Sequence, residues 1–566
     1  MLWRYPTSLR APLFSLIPEE TARVARAAFP NGHIYMRMRD ELGPIFHNSD
    51  FADLFPHDGQ PAQSPAQLAL VTILQFAESL ADRPAADAVR DRLVWKYALG
   101  LELTDPGFDA SVLCEFRARL IEGNAEYLLF DAMLRVLREH NLLKGQGRQR
   151  TDSTYVLAAI RTLNRLTCVG ETLRYALNEV AHVAPDWLRE QITPSWFDRY
   201  SRRMEEFRLP TEKAERAALA AQIGTDGAHL LAAVDAADTP EEVRRLPAVD
   251  VLRQIWAQQY AAPDTEGIVR WRDERDLPPG AELIVSPYDI EARMSAKRSV
   301  SWIGYKVHLT ETYPEDGPHL ITHVETTAAT LPDCHALDSI HTALHARKLL
   351  PDEHLVDAGY VTSTQLVDST TKHQVDLFGP VPLDGAWQAR TEGGFDIACF
   401  AVDWDAQRVT CPAGHTSRAW KATHNQHGQD VIHVEFDRQI CAACPLRERC
   451  TKSKTTGREL SLRPREYHIA LQTARQRQTT AEFKAAYAAR SGIEGTLSQG
   501  IRVCELRQAR YRGLTKTGLQ NILIATALNL LRAIAWLMEV PREYTRQSAF
   551  ARLAPGTAAS AFAGWG

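Results

Sequence analysis

Apolar and polar positions divide the chain into helical and strand-like stretches. Residues 1–147 read as helical. Ser64-Pro65-Ala66-Gln67 offers an N-cap, a proline at the first helical position and a capping-box glutamine. Leu68, Val71, Leu74 and Leu80 follow at roughly helical spacing. Residues 128–143 form a second leucine-rich helical pattern, and Gly145-Gln146-Gly147 reads as a boundary. A short strand is predicted over 150–156. Residues 160–283 then lose strand character; Leu173, Leu177, Val180 and Val183 share a helical face. Alternation returns at 301–309, where Ile303, Tyr305, Val307 and Leu309 fall on one side. Residues 319–325 read as its partner strand, 334–350 as a helix, and 354–356 as a short apolar strand ending at Asp357-Ala358-Gly359. This order predicts a mixed α/β layer. Residues 381–463 read as a β-rich insert, 464–540 as helical again, and 541–566 as a small-residue, frayed tail.

Composition narrows the class. With 566 residues, three or four folding units are expected at about 150 residues each. The 45% hydrophobic and 24% charged fractions exclude collagen-like, coiled-coil and wholly disordered chains. A net charge of −5 argues against coating nucleic acid through overall charge. The charge is uneven, however. Residues 211–290 hold 15 acidic against 8 basic residues, so 160–283 reads as an acid-rich helical insertion, while 461–520 hold 11 basic against 4 acidic. The start of the chain has no clear cleavage site and reads as no signal peptide. The apolar run 522–538 carries Asn529 and Arg532 and reads as a buried helix rather than a membrane span. A cytoplasmic protein is expected.

Three carboxylates stand out. Asp152, in Thr151-Asp152-Ser153-Thr154, lies on or just after a strand, where an N-cap is the plainer reading. Asp357 ends a buried strand and points to the crevice where α/β sheets bind ligands, with a turn-capping Asp as the alternative. Glu494 closes Tyr487-x2-Arg490-x3-Glu494, whose spacing puts all three side chains on one face of a helix; an exposed Arg–Glu pair is the alternative. Together, three such acids can hold two Mg²⁺ (or Mn²⁺) ions for in-line phosphoryl displacement. Arg502, Arg507, Arg510, Arg512 and Lys516, interleaved with Tyr511, provide a field suited to a DNA backbone.

The Thr-Asp-Ser-Thr, Asp-Ala-Gly-Tyr and Tyr-x2-Arg-x3-Glu segments occur in that order, with Gly304-Tyr305-Lys306-Val307-His308 between the first two. The set resembles the DDE-type insertion-sequence transposases of the Tyr-Arg-Glu-Lys signature group, over about residues 40–540. The resemblance extends to the family's N-terminal helical domain, from Asp53-Leu-Phe-Pro through Phe116-Arg117. It implies an RNase H-like core (148–159 and 284–380, completed by 464–540) interrupted by inserts, with 1–147 as an end-binding or dimerisation domain. It further implies Asp152, Asp357 and Glu494 as metal-binding catalytic acids, with Tyr487 and Arg490 holding phosphate. Implied partners are double-stranded DNA, as terminal inverted repeats and target, and a second copy in a synaptic homodimer. The family pattern continues Glu-x6-Lys, which falls on Ile501; Arg502 is the nearest cation. A non-catalytic regulatory relative and a general metal nuclease are the competing readings.

The nine cysteines are an odd number and unevenly spread. Cys411-x29-Cys441-x2-Cys444-x5-Cys450 has the spacing of a tetrahedral Zn²⁺ site in a zinc-ribbon-like insert, with His415 able to replace one thiolate and free reduced thiols as the alternative. Arg83, Arg90, Arg92, Lys96, Arg117 and Arg119 are available for DNA phosphates, although a packing domain explains the same helices. Trp387, Trp404 and Trp420 could stack a displaced base, and core packing is their plainer role.

Overall fold

The computed structural model describes residue 9 and residues 16–541, apart from 57, 60–61, 146, 206, 208, 263–268, 298 and 427. The tail expected to fray, beyond 541, lies outside the described residues. The fold is mixed α/β. At its centre is a sheet of β1 (Arg148–Leu157), β2 (Arg293–Lys297), β3 (Val300–Thr312), β4 (Ile321–Ala328), β5 (Glu353–Leu355) and β6 (Asp376–Phe378). The strand order is β2-β3-β1-β5-β6, with β4 also on β3. β1 pairs antiparallel with β3 and parallel with β5.

The β1–β5 pairing stops after three residues, Arg148 to Arg150. Beyond Arg150 that edge of β1 has no strand partner until its end. There the segment after residue 506 closes it, with Leu157 N donating to Arg507 O at 2.8 Å and Ala509 N to Leu157 O at 2.9 Å. The notch between the two partners is where Asp152 sits. On the other edge, Gly304 takes φ +151° and lies so close to β1 that a Cβ would stand 2.1 Å from Val156 O. Only glycine allows that approach.

The expected N-terminal helix runs from Pro65 to Ala77, with the Ser64 side chain accepting from Gln67 N. Its apolar residues are buried in one continuous core with the central sheet and the long helix Leu514–Leu537. The helices between 165 and 259 enclose a second core, built on Val169, Leu173, Ile223 and Trp256. The β-rich insert has a third. It contains only six buried apolar residues, Phe400, Val409, Val434, Phe436, Leu460 and Leu462.

The Leu514–Leu537 helix is long and apolar enough to cross a membrane, but most of it is buried inside the fold. Its polar residues explain the preference. Asn529 accepts from Ile321 N at 2.7 Å and donates to Ile321 O at 2.8 Å, and Arg532 meets Glu311 at 2.9 Å. Each satisfies a buried partner at the sheet, which lipid could not supply.

Candidate active site

Asp152 lies within β1, opposite Leu309 of β3, not at a helix start. Its carboxylate is buried, accepts from Ser153 N at 2.8 Å and receives Arg490 Nη2 at 2.5 Å. Burial pushes its carboxyl up to about 6; Arg490 pulls the other way, and the charge of Asp357 adds to the rise. Asp357 follows β5. It does make the turn contact, with Oδ1 accepting from Gly359 N at 2.8 Å, yet its charge also reaches Asp152, Tyr487 and Arg490.

Glu494 is half-exposed and accepts from Arg490 Nη1 at 3.0 Å. The expected single helix through Tyr487, Arg490 and Glu494 is not what forms. An α-helix ends at Tyr487, residues Ala488–Ser491 tighten into a 3₁₀ turn, and a new α-helix begins at Gly492. Arg150 lies against this turn. Its guanidinium donates to Ala489 O, a carbonyl that an unbroken helix would give to residue 493, and lies where a Cβ on Gly492 would stand. At this turn Arg490 lies between Asp152 and Glu494.

Tyr487 completes the pocket. It stacks on Phe483, which stacks on Phe378 of β6. Burial pushes its phenol up to about 12, with Asp357, Asp152 and Glu494 adding to the rise and Arg490 opposing it. Arg490 is thus the cation in direct contact with Asp152 and Glu494, and the charge of Lys297 also reaches Asp152. Burial disfavours its charge, but Asp152, Tyr487, Asp357 and Glu494 together hold it above its ordinary value.

Sequence spacing missed a fourth acid. Asp333 opens the short 3₁₀ helix after β4, and its carboxylate and that of Asp357 both come close to where a Cβ on Gly359 would stand. Lys306 Nζ contacts it at 2.6 Å and Ser153 Oγ at 3.2 Å. Burial works against its charge, but Lys306 holds the carboxyl below its usual value. The one available signal was Lys306 itself, a charged residue inside an apolar strand that needs a buried partner.

The expected cations fare differently. Ile501 packs against the core, and Arg502 is exposed with Nε on Ser498 O of its own helix. Arg510 is consumed structurally, by Leu80 O at 2.6 Å, Glu505 at 3.5 Å and the ring of Phe76. Lys516 is exposed at the start of the Leu514–Leu537 helix, and Arg512 lies over Tyr288. In the N-terminal region, Arg117 is buried against Asp82 and Tyr511, and Lys96 is buried on Glu102 O and Asp105 O. Arg119 holds Leu54 O, Arg92 pairs with Glu78, and Arg90 holds Pro106 O and pairs with Asp87. Arg117 and Lys96 are therefore not phosphate ligands; each neutralises its own fold.

All nine cysteines are free thiols. Cys411, Cys441, Cys444, Cys450 and His415 line one cavity of about 30 Å³. Cys411 and His415 close a knuckle, with Gly414 N on Cys411 O and Cys411 N on His415 O, both at 2.8 Å. Burial pushes the Cys450 thiol up to about 11, and the other three thiols add to the rise against Arg458. Trp404 and Trp420 meet each other edge to face and pack against the insert's core, and Trp387 carries Lys452. Among the described residues, no group of three or more His, Cys, Asp or Glu stands preassembled for a metal ion. At the acids, Arg490 occupies the space between Asp152 and Glu494.

Residues 410–534 match the family model described as a transposase DDE domain, and residues 23–119 match the transposase domain DUF772. Both matched models describe transposase domains and support an insertion-sequence DDE transposase. A comparison with curated proteins finds no match. The DDE match contains Glu494 and the four clustered cysteines but begins after Asp152 and Asp357.

Proposed function

We propose that this transposase cleaves the ends of its own insertion element and joins them to target DNA, through an RNase H-like core whose acids are Asp152, Asp357 and Glu494. One observation carries the reading. Side chains more than 330 residues apart, Asp152 and Glu494, meet on one guanidinium at the open edge of β1, within reach of Asp357.

The donor chemistry fits a hard divalent cation. The pocket offers carboxylate oxygens, and burial leaves the charge of Asp152 poorly compensated. Mg²⁺ or Mn²⁺ at Asp152, Asp357 and Glu494 would activate the attacking oxygen and neutralise charge on the phosphate. The chain's own residues do the rest. Arg490, released from the acids, has its guanidinium free for phosphate oxygens, and its buried Nε has no partner in the closed arrangement. The Phe378–Phe483–Tyr487 stack fixes the far wall. Lys306 holds Asp333 aside, so it does not add a further uncompensated charge. End cleavage of a duplex carrying the element's terminal inverted repeat, dependent on that sequence and on Mg²⁺, tests the reading. Cleavage indifferent to the repeat would favour a general nuclease. A synaptic homodimer bridging two ends belongs to the same proposal.

The insert calls for a second proposal, a structural Zn²⁺ on Cys411, Cys441, Cys444 and Cys450. Six buried apolar residues are too few to hold some 80 residues without a staple, and four thiols converge on one small cavity. Purified wild-type protein is expected to contain about one zinc per chain, and the Cys441→Ser/Cys444→Ser double variant none. Equal zinc in both would sink the assignment.

A further inference from the structure

The open edge of β1 carries a second guanidinium that the acid site does not use. Arg507 enters where the segment after residue 506 closes that edge, held by the backbone bonds through Leu157. Its Nε donates to Thr154 Oγ1 at 2.8 Å. Thr154 and Asp152 are two residues apart on one strand, so their side chains share a face about 7 Å apart. The guanidinium lies 4.3 Å over the ring of Tyr155, which leans on Trp302 at 5.6 Å. A weak contact at 3.5 Å joins Nη1 to the Tyr155 hydroxyl. The remaining N–H groups of this five-donor fork meet no acceptor among the described residues.

The other cations nearby are engaged. Arg490 is shared by Asp152 and Glu494, Lys306 is on Asp333, and Arg510 is on Leu80 O and Glu505. A planar cation held by one side, its ring face supported and its outer donors free, is suited to bidentate capture of a phosphate. We propose that Arg507 grips a backbone phosphate of the bound DNA beside the phosphodiester placed at Asp152, with Thr154, Tyr155 and Trp302 setting its position. The proposal rests on the transposase reading above.

The test uses the full chain and duplexes carrying the terminal inverted repeat, intact or with a single uncharged methylphosphonate at each position around the cleavage point. Arg507→Gln is expected to bind the intact duplex roughly tenfold more weakly and to show a log–log salt slope shallower by about 0.9. One methylphosphonate near the cleavage point should cost wild-type the same tenfold and cost Arg507→Gln nothing further. Thr154→Val, which leaves the charge and removes only its anchor, should lose part of that coupling with an unchanged melting temperature. Additive losses at every position, or Arg507→Gln binding like wild-type, overturn the inference alone. Wild-type binding with no preference for the repeat overturns the transposase reading and the inference with it.

Discussion

Asp152→Asn, Asp357→Asn and Glu494→Gln should each abolish end cleavage, by roughly a thousandfold or more, while binding of the terminal repeat survives. Each loses an anionic ligand in a site that supplies several kcal/mol of charge stabilisation, and each 1.36 kcal/mol is tenfold in rate. Binding survives because the acids repel DNA rather than attract it. Asp152→Asn has a second consequence. The folded carboxyl sits at about 6 because burial penalises its charge, against 3.8 for the free group. A raised carboxylate value means stability is fully present below the unfolded value and is lost as pH rises through the folded one. The gap is worth about 3 kcal/mol. Metal-free Asp152→Asn should therefore melt higher than wild-type at pH 7.5, with the advantage shrinking toward pH 4. A variant that is inactive because it is unfolded would show the opposite. Normal cleavage by any one of the three variants would remove that residue from the site.

The second large effect lies beneath the acids. Glu311 on β3 is fully buried between two guanidiniums, Arg150 at 2.6 Å and Arg532 at 2.9 Å, with Thr496 Oγ1 at 2.5 Å. Arg150 also holds Ala489 O beside Arg490, so this network seats the segment from Tyr487 to Glu494 on the sheet. Glu311→Gln leaves two buried cations without their counter-charge. The expected cost is about 3–5 kcal/mol, read as a lower denaturant midpoint for the sheet core, with cleavage falling alongside. Burial opposes the charge of Glu311, but Arg532 and Arg150 outweigh it and hold its carboxyl below the ordinary value. A depressed carboxylate stabilises above its unfolded value and loses that contribution as pH falls through the folded one. Wild-type should thus lose stability below about pH 4.5 more steeply than Glu311→Gln. Equal midpoints for the two proteins would show that the network is not what seats the segment.

Much of this organisation was legible in the sequence because it is periodic. Alternation through Ile303, Tyr305, Val307 and Leu309 marks β3, and the cap at Ser64-Pro65 marks the first core helix. The three acids proposed for the site were singled out by short ordered motifs. What pattern could not reveal depends on contacts between distant residues. The 3₁₀ turn at Ala488–Ser491 is held by Arg150, more than 300 residues earlier. Asp333 looks like an ordinary helix-start residue until Lys306 and Gly359 are seen against it. Arg117 and Lys96 read as surface cations because helical spacing does not show which charges fold inward against Asp82 and backbone carbonyls. Among the five basic residues from Arg502 to Lys516, only partners separate Arg507 from Arg510.

The central claim is that Asp152, Asp357 and Glu494 hold metal together. Ferrous ion with peroxide, which cuts polypeptide backbone beside a bound iron, tests this directly. The wild-type chain should be cut near all three positions, Mg²⁺ should protect all three, and Asp152→Asn should lose all three cuts together. Cuts confined to the cysteine insert, or cuts near Glu494 that survive Asp152→Asn unchanged, would contradict a shared site.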